Sequence, residues 1–145
     1  MVRNDEVFVF DYGTTPRRSE EESLAGDWSR TLAVAAAVRH VLRAEQPDIA
    51  LSDPELDEEW GAVVWVEGTA VRKIAVEPVV GAPLSWAVRF EDPGGCLSFT
   101  RKRREAATFD VLKAALHRGA QLRGEEFRNP RWVARRDLRE FGRSS

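Results

Sequence analysis

Between residues 60 and 101, apolar and polar positions alternate in short runs separated by turn residues. Leu84, Trp86, Val88 and Phe90 alternate with Ser85, Ala87, Arg89 and Glu91. Ile74 and Val76 alternate with Lys73 and Glu77, and Leu97 and Phe99 with Cys96, Ser98 and Thr100. A period of two marks a strand with one face on a core and the other toward water. The pattern predicts four strands: Trp60–Val66, Val71–Val79, Leu84–Glu91 and Cys96–Arg101. The gaps Glu67-Gly68-Thr69, Gly81-Ala82-Pro83 and Asp92-Pro93-Gly94-Gly95 carry turn chemistry. They are too short for a parallel crossover, which needs about a dozen residues or more, so the strands form an antiparallel meander. Ala62-Val63-Val64-Trp65-Val66 is apolar on both faces. A strand of that kind is central, or covered on its second side.

The flanks supply the remaining elements. Glu6 to Asp11 is a β-branched and aromatic run, expected to add to an edge of the meander. Residues 14–23 read as a solvated loop. Asp27 is placed to cap a helix from Trp28 to about Ala44, stopped by Pro47. Trp28, Leu32, Ala35, Val38 and Leu42 form its stripe, and Ala33, Ala36, Ala37 and Val41 widen it. That girth predicts burial on more than one side. Ser52-Asp53-Pro54 predicts a single helical turn. A second helix is expected from Glu105 to Arg118, with Phe109, Leu112 and Leu116 inward and Gly119 as a left-handed cap. Asn129-Pro130 and Gly142 bracket a short helix from Pro130 to Phe141. The fold class is therefore α+β: an antiparallel four- to five-stranded meander packed against two main helices, with a short C-terminal helix. Residues 1–145 read as one domain, and 121–145 as its basic C-terminal extension.

Charge changes this picture by giving it two halves. Residues 1–60 hold fourteen acids and six bases, and residues 61–145 hold ten acids and sixteen bases. The halves carry −8 and +6, within a chain of net charge −2. Such asymmetry predicts two electrostatically distinct surfaces, unless the halves neutralise each other in the fold. The single cysteine, Cys96, excludes an internal disulfide framework and fits a reducing compartment. No apolar run approaches the ~20 residues of a membrane span, and no signal-peptide pattern opens the chain. A cytoplasmic protein without membrane contact is expected. The preference for Arg over Lys, with abundant Ala, has the character of a GC-rich bacterial or phage genome.

No catalytic signature is present. His40, His117 and Cys96 share no metal-ligand or nucleophile spacing, and each has an ordinary structural reading. Gly94-Gly95 is a turn and not a phosphate loop, so no cofactor and no metal are expected. Two acidic clusters, Glu20-Glu21-Glu22 and Asp57-Glu58-Glu59, are candidate partner-binding surfaces. As runs of neighbouring acids they lack the fixed mutual geometry of a hydrolytic pair. Arg101-Lys102-Arg103-Arg104 places four cations before the second helix, where the macrodipole disfavours them. With Arg131, Arg135 and Arg136 that run forms an alternative basic surface for an acidic protein or nucleic acid. Against nucleic acid stand a pI of about 5.8 and a basic run without interleaved aromatics.

In its order of strand, helix, four-strand meander and helix, the chain resembles bacterial immunity proteins and small effector-binding chaperones. The likeness is one of outline, with no motif matched residue by residue. It implies a non-enzymatic module that binds another protein, more readily a basic one, as an immunity or inhibitor protein. The alternatives are a nucleic-acid-binding module and a small enzyme with a site assembled from scattered residues. A second copy of the chain is also compatible as partner. One structural expectation is sharp. Trp86 and Phe90 share a sheet face against the helix that carries Phe109, Leu112 and Leu116. Trp86→Ala should then cost roughly 3–5 kcal/mol of stability, and a denaturation midpoint equal to wild type would refute the placement.

Overall fold

The apolar run at the N-terminal end adds to the edge of the meander, as expected, and a further strand beyond it leaves it inside the sheet. In the computed structural model it forms β1 (Glu6–Tyr12), hydrogen-bonded on one side to β5 (Ser85–Glu91) and on the other to β6 (Phe127–Ala134). The described residues are 6–13, 29–57, 61–66, 73–79, 82, 84–91 and 99–137, the side chains of 99–109 excepted. They give the order β1, α1 (Ser29–Glu45), β2 (Glu55–Asp57), β3 (Gly61–Trp65), β4 (Lys73–Pro78), β5, α2 (Phe99–Leu122) and β6. The sheet is antiparallel with strand order β2-β3-β4-β5-β1-β6. The α+β class and the β3-β4-β5 meander stand as expected.

Both helices cover one face. Phe8, Phe10, Val64, Ile74, Val76, Trp86, Val88 and Phe90 point into a core completed by Val34, Val38, Val41 and Leu42 of α1 and Leu112, Leu116 and Ala120 of α2. Trp86 and Phe90 thus share a core with Leu112 and Leu116. The face turned away from the helices is not simply wet. Val7, Val9, Val79 and Ala87 form a second buried cluster there, and Ser85 is buried beside them. The alternation of β5 therefore separates two buried environments rather than core from water.

Several expected elements are corrected. The fourth strand, Cys96–Arg101, does not form over residues 99–101, which already belong to α2; residues 96–98 lie outside the described set. Helix α2 starts before Glu105 and runs past Gly119 to Leu122. Ser52-Asp53-Pro54 is not helical; it leads into the edge strand β2. Helix α1 buries one face only, with Ala33 and Ala36 exposed. Asp27 and Trp28, and the expected loop 14–23, lie outside the described residues.

The helix expected from Pro130 is a strand as far as Ala134, and helical backbone begins at Arg135. Val9 faces Arg131 and Asp11 faces Arg128, so two residues, Asn129 and Pro130, stand opposite Phe10 alone. That is a β-bulge. Asn129 takes a φ of 52°, which asparagine tolerates better than most residues, and Pro130 has no N–H to donate to a ladder. Asn-Pro can serve a helix start or a bulge, and pairing with β1 decides for the bulge.

Gly119 has a packing role instead of a capping one. A Cβ at Gly119 would stand 2.3 Å from Val41 Cγ1 of α1 and 3.3 Å from Glu45 Cγ. The glycine lets the two helices approach. Overpacking costs about 1–3 kcal/mol, and the better helix propensity of alanine returns about 1. Gly119→Ala should therefore lower stability by about 1 kcal/mol in the wild-type chain. In a Val41→Ala background the same change should raise it. Equilibrium denaturation of the four chains checks both signs.

Candidate functional site

The acidic half of the chain reaches the surface along residues 48–57, between α1 and the edge strand. Arg39 of α1 ties this segment down. Its Nε donates to Ser52 O at 2.7 Å, and its Nη2 donates to Leu51 O at 3.1 Å. The same guanidinium lies 3.6 Å from Asp53, whose side chain is 93% exposed. Ser52 Oγ accepts from Trp65 N at 2.8 Å, and Ser52 N donates to Trp65 O at 2.9 Å. Leu51 forms a bridge to Val66. Pro54 interrupts the pairing, which resumes as Glu55↔Val63, Leu56↔Ala62 and Asp57↔Gly61.

Gly61 makes this turn back possible. It adopts a φ of +89°, and a Cβ there would meet Val76 O at 2.5 Å. The result is a short, anchored edge with exposed Asp48, Asp53 and Glu55 and half-buried Asp57. Leu56 is 48% exposed among them. Of the expected acidic surface, Asp57 lies on this edge. Glu20, Glu21, Glu22, Glu58 and Glu59 lie outside the described residues.

The basic surface is differently placed. Arg101, Lys102, Arg103 and Arg104 lie inside the first turns of α2 rather than before it. Arg131 sits on β6, and Arg135 and Arg136 follow it. Two of these cations, and Arg128 at the start of the same strand, are engaged within the chain. Arg135 Nη2 contacts Glu91 Oε1 at 2.6 Å, Arg131 Nη1 donates to Asn129 O at 2.8 Å, and Arg128 donates to Gly13 O.

The sheet face opposite the helices carries a ladder of paired charges. Arg89 Nη2 lies 2.9 Å from Glu77 Oε2, one strand from the Glu91–Arg135 pair. Burial pushes the Glu77 carboxyl above its ordinary value, against the pull of Arg89 and Arg135. Further along, Trp65 Nε1 donates to Glu55 Oε1 at 2.6 Å, and Lys73 Nζ lies 5.9 Å from the Trp65 ring centroid. Each of these carboxylates already holds a donor, so the ladder reads as cross-strand support.

Sequence reasoning missed Lys113. It belongs to α2, is 4% exposed, and places its Nζ 5.9 Å from the Phe90 ring centroid. Burial lowers its amine below the ordinary 10.5, opposed by the charges of Asp110 and Glu6. A lysine one position from Leu112 on a helical stripe gives a signal only if the stripe is read as wide. His40 is exposed on α1. His117 accepts a hydrogen bond from Trp132 Nε1 at 3.1 Å. Cys96 lies outside the described residues. Among the described residues no group of three His, Cys, Asp or Glu side chains is placed to hold a metal ion, and no helix is long and apolar enough to cross a membrane.

Comparison with protein-family models, curated proteins and solved structures finds no match for this chain.

The lowered amine of Lys113 has a measurable sign. The folded chain binds its proton less tightly than the unfolded chain. Charged Lys113 therefore costs stability at neutral pH, and that cost vanishes as pH rises from the folded value to the ordinary 10.5. Lys113→Met keeps the stem and removes the charge. Its stability relative to wild type should be most favourable at pH ~7 and less so at pH ~10. Urea midpoints for both chains at the two pH values test this; a difference that stays constant or grows would contradict the penalty.

Proposed function

We propose that this chain is a protein-binding module, acting by surface complementarity as an inhibitor or immunity protein, whose partner is basic. The observation that carries the reading is the anchored acidic edge. Leu56 is open to solvent on a strand at the end of the sheet, on the face of its partner Ala62, with Glu55 and Asp57 on the other face of the same strand and Asp53 fully presented just before it. An edge that offers an apolar side chain on one face and carboxylates on the other suits a partner that approaches edge-on with cations around an apolar contact. A bacterial or phage origin and a cytoplasmic setting belong to the same proposal. So does the expectation that the partner is a protein which itself acts on an anionic polymer, since such proteins present basic surfaces.

Nucleic acid is the weaker reading. The arginines that follow the bulge are drawn into contacts with Glu91 and with backbone carbonyls, which leaves fewer donors for phosphates. An enzymatic reading is weaker still, because the paired carboxylates of the sheet face are occupied by arginines.

Charge reversal separates the two surfaces. The triple variant Asp53→Lys, Glu55→Lys, Asp57→Lys gives up the Asp53–Arg39 pair and the exposed Trp65–Glu55 hydrogen bond, each contributing about 1 kcal/mol, and should keep the fold at somewhat lower stability. Wild type, this variant and an Arg131→Glu, Arg135→Glu, Arg136→Glu variant serve as baits for a bacterial lysate. The retained protein is then followed by stopped-flow association. The acidic-edge variant should associate about tenfold more slowly at low salt, and the difference should fade near 1 M salt, where the Debye length falls to about 3 Å. Association that is indifferent to the acidic-edge reversal and slowed by the arginine reversal would overturn the proposal.

A further inference from the structure

Trp65 shows which way the backbone of β3 points. Its N–H donates to Ser52 Oγ at 2.8 Å, and its carbonyl accepts from Ser52 N at 2.9 Å. Both of its main-chain groups therefore face the β2 side. Along a strand in an antiparallel ladder these groups turn to alternate sides. Val63, two residues back, faces β2 as well, and it stands opposite Glu55. Glu55 commits its main-chain groups to that pair. Leu56, the next residue, then directs its N–H and C=O away from β3, over the open edge of the sheet. Among the described residues no strand pairs with β2 on that side.

We propose that the partner binds by adding an extended segment to this edge as a further strand, with an apolar residue opposite Leu56 between two cations. The inference rests on the reading of a basic protein partner and specifies how it docks. Residues directly opposite each other in a sheet share a face. Leu56 lies on the face of Ala62, toward the helices, and is 48% exposed, so the residue paired with it meets an apolar side chain. The two neighbours of that residue fall on the other face, opposite Glu55 and Asp57. Trp65 Nε1 holds Glu55 Oε1 at 2.6 Å, which fixes the carboxylate without cancelling its charge. Arg39 holds Leu51 O and Ser52 O, so the chain leading into β2 is already in place before a partner arrives.

Other occupants fit less well. A second copy paired antiparallel through Leu56 would set Glu55 against Asp57 and Asp57 against Glu55, and like charges directly opposite are destabilising. A nucleic acid would bring phosphates to the same carboxylates. The opposite edge, β6, is interrupted by the bulge at Asn129 and Pro130, which breaks its row of main-chain groups.

Peptide titrations of the intact, nitrogen-labelled chain, followed in two-dimensional nitrogen–proton spectra, test the mode. The probe is a capped pentapeptide, threonine-lysine-valine-lysine-threonine. At about 5 mM, enough to populate even a millimolar complex, it should move the Leu56 amide more than the inward amides of Glu55 and Asp57. An isomer with its two lysines adjacent has the same charge and a broken alternation, and should bind about tenfold more weakly. Methylation of the valine nitrogen keeps every side chain and removes the donor to Leu56 O; it should also weaken binding about tenfold. Equal binding of the three peptides would overturn strand addition while leaving a basic partner in place. Absence of a shift at Leu56 would overturn it as well. So would a Leu56 amide that moves when the peptide-free chain is diluted, which would make a second copy the occupant. Failure of the basic-partner reading has its own signature, association that is indifferent to the acidic-edge reversal.

Discussion

The structure depends on β1 lying inside the sheet. Its side chains serve two cores at once: Phe8 and Phe10 face the helices, and Val7 and Val9 face the second cluster. Each of these four is at most 1% exposed. Full burial of a large apolar side chain contributes about 1.5–3 kcal/mol, so this one strand holds a large share of the net stability of a chain this size. Without β1 the strand β6 has no partner, and the aromatic group of Phe8, Phe10, Phe127 and Trp132 has no centre. The hydrogen-bonded sheet would end at β5.

Much of the fold was legible because burial writes a period into strands and helices. The meander β3-β4-β5 and helix α1 came from such periods. The interior position of β1 was legible too, by the rule that read β3 as central or covered on its second side. Val7-Phe8-Val9-Phe10 is as continuously apolar as Ala62-Val63-Val64. The errors have local causes. Residues 99–101 continue an alternating pattern by chance, while the backbone there is already helical. Gly119 near the end of a stripe resembles a cap, but only the neighbouring helix reveals that Val41 needs the space. Asn129-Pro130 is ambiguous until its partner strand is known. Strand β2 is too short and too polar to leave a period at all.

The candidate site was legible in part. The acidic tract led to Asp57, while the residues that make it a surface, Arg39 as anchor and Leu56 as the exposed apolar centre, needed the fold. The charge asymmetry of the two halves proved partly internal. Glu45 of the acidic half holds Arg118 of the basic half, and Arg39 holds the acidic segment itself. A stretch of like charges in sequence is therefore a poor guide to field strength at the surface. The ion pairs that matter for architecture, Glu77 with Arg89 and Glu91 with Arg135, join residues that no charge run contains.

The interior placement of β1 also governs the order in which the molecule can be made. Asp11 finds Ser85 74 residues further along, and Tyr12 finds Glu126 114 residues further along. A ribosome delivers the chain from one end, so an apolar strand leaves the exit tunnel long before either neighbour exists. The meander can close first, but its β5 edge stays open until β1 docks there, and β1 in turn keeps one open edge until residues 127–134 emerge. Pairings this distant in sequence close slowly. During synthesis the chain therefore carries a sticky, unpaired strand until β6 emerges, and β6 is the strand that seals it.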